Sequence, residues 1–194
     1  MKNTELLNDL NNYMENFRSE DTVSTKKSKY KYSLKSIAFT YGSTPQKTFQ
    51  SLLNNLKIKP KRLVVVGSSI GWINFYWNEL YPNVETIGID IHSFRVNFAK
   101  KMVDKFNLKN ITFSETSFYD FEFSEGDLIW QSNLCFNAKD VYNANEDLLK
   151  KTPKVSIISY RPISKNKDQR KYITPHYYPV SWMEKQSFYI YEKI

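Results

Sequence analysis

The sequence predicts an α/β protein, a doubly wound and mostly parallel sheet closed by an antiparallel C-terminal hairpin. Three observations carry that expectation. Short apolar runs alternate with segments of helical periodicity from residue 44 onward. The first run, Leu63–Val66, is apolar at every position, as a central parallel strand covered on both faces must be. The closing stretch then holds two β-rich runs with no helix between them.

The elements follow in order. Leu6, Leu7, Leu10, Tyr13, Met14 and Phe17 fall on one face of a helix, which reads as a cap on the domain. Residues 19–36 break that pattern, and Lys26, Lys27, Lys29, Lys31 and Lys35 interleave there with Tyr30 and Tyr32. Such a composition reads either as a solvated linker or as an arm that meets nucleic acid, its lysines on phosphates and its tyrosines on bases. The expected division is residues 1–36, helix and lysine-rich linker, and residues 37–194, the sheet domain. Thr44-Pro45 reads as a helix start, Thr44 as N-cap, followed by Phe49, Leu52, Leu53 and Leu56 at helical spacing.

After Leu63–Val66 the pattern predicts a helix from Gly71 to Leu80, stopped by Tyr81-Pro82-Asn83, and a second strand over Val84–Ile89. A helix from Ser93 to Phe106 leads to a third strand at Ile111–Phe113, and a fourth runs from Leu128 to about Leu134. Ala138–Lys151 reads as a helix that stops before Pro153, and Val155–Ser159 as a fifth strand ending at Arg161-Pro162. The hairpin pairs Tyr178–Trp182 with Ser187–Tyr191 through Met183–Gln186. Sheets of this kind bind ligands at the carboxyl ends of their strands, so the ends of the first four strands converge on one pocket.

The turn between the first two strands is the most specific local signal. Gly67-Ser-Ser-Ile-Gly71 follows a buried strand, and Asp90 ends the next one about twenty residues later. Glycines let the backbone approach a ligand, and a carboxylate in that place accepts from both hydroxyls of a ribose. G-x-x-x-G is not the dinucleotide pattern. The shorter turn with its acid suits S-adenosylmethionine better than NAD.

Bulk properties bound the partners. The chain has 194 residues, 41% hydrophobic and 25% charged, enough to bury one large core. Aromatic residues reach 16%, sufficient to fill a core and also to wall a substrate channel. A net charge of +8 favours nucleic acid, a nucleosome, a ribosome or an acidic membrane, and fits a lysine-rich solvated surface equally. The single Cys135 excludes an internal disulfide and fits a reducing intracellular compartment, cytoplasmic or, in a eukaryote, nuclear. Two histidines and one cysteine make no metal site at any usual spacing. No apolar run approaches a membrane span, and the polar Met1–Asn11 stretch is not a signal peptide.

This layout resembles the class I S-adenosylmethionine-dependent methyltransferases, with their Rossmann-like sheet. Two segments narrow the resemblance. Phe39-Thr-Tyr41-Gly42-Ser43-Thr44 is similar to the Y-G-E-T cofactor loop of Dot1-type histone-lysine methyltransferases. Val180-Ser-Trp182-Met-Glu-Lys-Gln-Ser-Phe-Tyr189 resembles the V-S-W-x-x-K-P-V-x-Y-Y ending of that family. Between them, Trp130-Gln-Ser132-Asn133-Leu134-Cys-Phe136 stands where the family has F-V-N-N-F-A-F.

The resemblance implies roles residue by residue. Tyr41 and Thr44 close over the methionine part of S-adenosylmethionine. Gly67, Ser68 and Gly71 shape the turn beneath it, Asp90 holds the ribose, and Ser117 with Phe118 flanks the adenine. Ser132, Asn133, Trp182 and Tyr189 line the channel for a target lysine on a basic protein such as a histone or nucleosome. Four positions depart from the family: Val65 replaces its acid, Ser69 its middle glycine, Ser117 its adenine-binding acid, and Ser132 its first Asn. Glu115, Asp120 or Asn133 stand near enough in sequence to substitute. An RNA or small-molecule methyltransferase, an aminobutyrate transferase of the nicotianamine synthase-like kind, and a non-catalytic module on a decayed cofactor fold are the rival readings. His92 reads as a surface residue.

Overall fold

A computed structural model describes residues 44–181 and 183–193, together with Glu5, Leu6, Asn8, Asp9 and Asn12. Its helices are α1 (Gln46–Leu53), α2 (Trp72–Leu80), α3 (Ser93–Lys105), α4 (Ala138–Lys151) and the short α5 (Lys167–Arg170). Its strands are β1 (Arg62–Val66), β2 (Thr86–Asp90), β3 (Ile111–Glu115), β4 (Asp127–Gln131), β5 (Ser156–Ser159), β6 (Ile173–Val180) and β7 (Met183–Glu192). They form one sheet in the order β3-β2-β1-β4-β5-β7-β6. β1 to β5 run parallel, and β7 lies antiparallel between β5 and β6. Strand order reverses beside β1, so the ends of β1 and β4 open the crevice in which such sheets take ligands.

The strands read apolar because both faces are covered. On one face Leu63, Val65, Leu128, Trp130, Ile158 and Ile190 pack under Phe49 and Leu52 of α1 and Ile73 and Trp77 of α2. That layer continues over β3, where Ile111 and Phe113 meet Val96, Ala99 and Met102 of α3. On the other face Val66, Ile129, Ile157 and Tyr191 pack against Leu148 and Leu149 of α4. Each such side chain, fully buried, contributes about 1.5–3 kcal/mol of transfer free energy. At the amino ends, Arg62 and its ladder partner Asp127 form a two-pronged ion pair, Nε to Oδ1 at 2.7 Å and Nη2 to Oδ2 at 3.0 Å.

Glycine 88 decides how β3 sits on β2. A Cβ there would lie 2.4 Å from Cδ1 of Phe113, so the phenyl ring lies over bare backbone. Leu6 is buried among Ile70, Phe75 and the α3 residues, and Asp9 pairs with Lys105. Those contacts agree with the expected helical cap. The rest of that helix and the Lys26–Lys35 arm lie outside the described residues.

Three expectations need correction. Thr44 is not an N-cap: Pro45 precedes the first helical residue, no side chain caps α1, and the Thr44 hydroxyl is bonded instead to the Tyr160 hydroxyl. The hairpin is longer and tighter than predicted, because Met183–Gln186 belongs to β7 and Val180 already pairs with Met183. Pro175 and Pro179 disguised β6, yet an edge strand tolerates proline because half its N–H groups need no partner. The register shifts between Tyr178 and Val180 in addition, where two steps along β6 face three along β7, so the extra residue lies in β7. His92, read as a surface residue, is buried with only 4% of its surface exposed.

Candidate active site

The cofactor side begins with backbone. Gly67 and Ser68 both donate their N–H to the Ile89 carbonyl, at 2.9 and 3.0 Å, and so tie the β1 turn to the end of β2. Gly67 has φ +69°, and a Cβ on it would come within 3.3 Å of both the Phe136 ring and the Ser132 carbonyl. The turns after β1 and β4 therefore touch at this residue. Ser69 also takes a left-handed φ of +51°, a strained place for a side chain. Its N–H is held at 2.8 Å by Oδ2 of Asp90, while Oδ1 of the same carboxylate accepts from the His92 N–H at 3.0 Å.

Asp90 thus faces the glycine turn. Each of its oxygens has one backbone donor and keeps a lone pair for a second hydrogen bond. Beyond it, Thr116 donates its N–H to the Asp90 carbonyl at 3.0 Å, which brings the loop after β3 alongside. Ser117 accepts from the Tyr119 N–H at 3.2 Å, and half-buried Phe118 stands edge-on to Phe123 at 5.4 Å. Ser68 is buried, and its hydroxyl oxygen has no partner.

Across the crevice, β4 and β5 end in polar side chains. Gln131, Asn133, Asn145 and Ser159 are each no more than 1% exposed. Asn133 donates from Nδ2 to Ser159 Oγ at 2.7 Å and to Gln131 Oε1 at 3.5 Å. Its own Oδ1 is buried without a partner. Leaving an acceptor so costs about 1–3 kcal/mol, which makes a chance origin expensive. Ser132 is half-buried on the same turn, with its N–H on the Val66 carbonyl at 2.9 Å. Tyr189 falls on the same ladder rung as Ser159.

On the opposite face of the sheet, under α1 and α2, the same strand ends carry an aromatic cluster. Trp130 packs edge-on against Phe49 at 5.4 Å and against Tyr160 at 5.9 Å, and Tyr160 meets Phe188 at 5.0 Å. Burial pushes the Tyr160 phenol up to about 12, against the pull of its bond to Thr44. Tyr41 and Trp182, the remaining predicted site residues, lie outside the described residues. Elsewhere, a groove of about 240 Å³ lined by Leu53, Lys57, Lys59, Trp77 and Tyr81 opens at the amino ends of the strands, opposite the crevice.

Comparison with known proteins decides the family. A model of the methyltransferase domain matches residues 59–189, about two-thirds of the chain. The chain belongs to this methyltransferase family. No curated protein matches it. Among solved structures it is similar in fold to TrmN from Thermus thermophilus, with 16% identity over 82% of this chain and 52% of that one, at a TM-score of 0.58. It is similar to the precorrin-6y C5,15-methyltransferase from Geobacter metallireducens GS-15, with 10% identity over 80% and 92% of the two chains and a TM-score of 0.58. YcgJ from Bacillus subtilis matches at 16% identity over 59% and 51%, with a TM-score of 0.48. The chain spans about half the length of the YcgJ and TrmN chains.

S-adenosylmethionine, the methyl donor that the sequence resemblance implies for such a domain, is a nucleoside with a charged methionine tail. The residues present fit that group. Asp90 is fixed with acceptor capacity to spare, and the unpartnered Ser68 hydroxyl lies on the adjoining turn. Among the described residues no group of three metal-binding side chains exists, and no helix is long and apolar enough to cross a membrane.

The methyltransferase also holds functional candidates that sequence reasoning passed over: Gln131, Asn145, Ser159 and Arg161. The signal was faint. Gln131 and Ser159 end otherwise apolar strands, and Asn145 interrupts the helical stripe of Val141, Leu148 and Leu149.

Proposed function

We propose that this methyltransferase is a protein-lysine N-methyltransferase of Dot1-like type, acting on a basic protein such as a histone, free or in a nucleosome. The observation that carries this reading is the buried, partnerless Oδ1 of Asn133 at the end of β4, one turn away from Gly67. A carbonyl oxygen accepts from a nucleophile that carries N–H, which favours an amine over a carbon or carboxylate acceptor.

S-adenosylmethionine supplies an electrophilic methyl on a sulfonium, so the protein's part is alignment and exclusion of water. A lysine must first lose its proton from a reference pKa of about 10.4. Dry surroundings at the carboxyl ends of β4 and β5, where Gln131, Asn133, Asn145 and Ser159 are buried, disfavour the ammonium and bring that value down. No strong general base is then required. The sheet domain from residue 37 is assigned the chemistry, and the Lys26–Lys35 arm is assigned contact with nucleic-acid phosphate on its composition alone.

The test uses labelled methyl donor with nucleosomes, free histones, free RNA and a metabolite extract. Label on histone lysine supports the reading. Label on RNA or metabolites alone rejects it, and an aminobutyryl rather than a methyl adduct by mass would replace it with the transferase alternative.

A further inference from the structure

We infer that Gln131, Asn145, Ser159 and Arg161 are positioning residues, a buried frame that locks the Asn133 amide with its NH2 inward and its carbonyl oxygen left over for the nitrogen acceptor. The inference rests on the reading of this crevice as a site for an amine.

The polarity is set by groups that cannot reverse. The Ile163 backbone carbonyl can only accept, so the end of Asn145 that faces it at 3.1 Å is the NH2. The Asn145 oxygen then faces Gln131 Nε2 at 2.6 Å. That turns the Gln131 oxygen toward Asn145 Nδ2 at 3.4 Å and toward Asn133 Nδ2 at 3.5 Å. A second chain of reasoning reaches the same end of Asn133. Ser159 gives its hydroxyl proton to the Arg161 carbonyl at 2.8 Å and accepts the Arg161 N–H at 3.3 Å. Toward Asn133, at 2.7 Å, it can therefore only accept.

Two independent acceptors thus demand NH2 at one end of the amide, and the oxygen is assigned by exclusion. Burial keeps the lock shut, because no water reaches these groups to replace a partner. The Arg161 guanidinium braces the turn itself, donating to the Phe136 carbonyl at 2.9 Å and to the Leu134 carbonyl. Ile163 and Arg161 follow β5, Asn145 sits in α4 and Gln131 closes β4, so three elements fix one side chain. The oxygen is closed to bulk water in this structure. An acceptor that presented a carbonyl or carboxylate would find oxygen against oxygen.

The test is Asn145→Asp, with Asn145→Leu beside it, in the full chain. An ionised carboxylate at 145 sets an oxygen against both Ile163 and Gln131. A protonated one donates to the Ile163 carbonyl as the amide does. At about pH 8.5, kcat for nucleosome methylation in N145D falls about tenfold relative to wild type, the loss from one misdirected buried hydrogen bond. The mutant-to-wild-type ratio then recovers toward about pH 6 as the buried carboxyl takes up its proton. KM and the affinity for S-adenosylhomocysteine stay unchanged, and N145L shows no recovery.

A second measurement needs neither activity nor a variant that folds. In 15N spectra of the wild type, the side-chain NH2 protons of Asn133 exchange slowly with solvent. Freely exchanging Asn133 protons, or an N145D ratio flat across pH, would overturn the inference. A wild type inert toward nucleosomes with slowly exchanging Asn133 protons removes the lysine reading and leaves the frame supported.

Discussion

Where β1 and β2 end, the crevice is made of backbone: two N–H groups on one carbonyl, three left-handed residues and a single carboxylate. Where β4 and β5 end, it is made of side-chain amides and a hydroxyl that come from positions up to 28 residues apart in sequence, counting from Gln131 to Ser159. In the proposed reading the first half holds the methyl donor. Its needs are met by a turn of fixed shape. In the same reading the second half suits one particular acceptor, and side chains can be exchanged to do that without disturbing the sheet. Two kinds of construction imply two kinds of damage, and that difference can be tested.

The largest effect is expected at the carboxylate. Asp90→Ala removes the acceptor of two backbone N–H groups and both bonds offered to a ribose. Binding of S-adenosylhomocysteine, followed by calorimetry, should weaken on the order of a hundredfold, from two charge-assisted bonds at about 1.5 kcal/mol each. Affinity within threefold or so of wild type would mean that the ligand lies elsewhere.

Next comes the bare backbone of β2. Gly88→Ala drives a Cβ into Phe113 and should cost about 1–3 kcal/mol, roughly 2–10 °C in a thermal melt. Phe113→Leu in the same chain should restore part of it, since the two sites share one contact. A lossless Gly88→Ala would show that β3 is free to shift.

On the amide side, Asn145→Leu should cost about 1–3 kcal/mol by stranding Gln131 and the Ile163 carbonyl. Adding Gln131→Leu should cost less than the sum of the single changes, because each orphan is removed with its partner. Strict additivity in denaturant melts would break the picture of a coupled frame.

The smallest effect is expected at Tyr160. Its folded pKa of about 12 lies above the ordinary phenol value of 10, so the unfolded chain gives up the proton first. Stability from this phenol is therefore complete below pH 10 and is lost as pH rises toward 12. Tyr160→Phe should lower the melting temperature slightly at neutral pH, through the lost bond to Thr44, and flatten the alkaline decline. An unchanged alkaline slope would count against a buried phenol.

Much of the fold was legible because its signals are local. Apolar runs, Gly67, Gly71 and Asp90 sit within one short stretch, and α4 was predicted at Ala138–Lys151 with the bounds it has. The edge of the sheet was less legible, since Pro175, Pro179 and a bulge in β7 erase alternation while leaving β6 paired. Thr44 shows a different limit. A threonine before a proline reads as a cap, but a tyrosine 116 residues away claims its hydroxyl. The amide frame was not legible at all: nothing local says that Gln131 and Asn145 will meet, or that Arg161 will reach back across the turn of β4. Long-range partners, unlike periodicity, leave no mark on spacing.

The placement of β7 inside the sheet has a consequence for how the molecule assembles. β6 touches the rest of the sheet only through β7, so residues 173–180 have nothing to pair with until the strand after them has been made. The two must zip together first, as a local ribbon, and dock onto β5 second. Proteolysis or hydrogen exchange during refolding should find Tyr177 and its neighbours protected in the same step as Tyr189, and never before it.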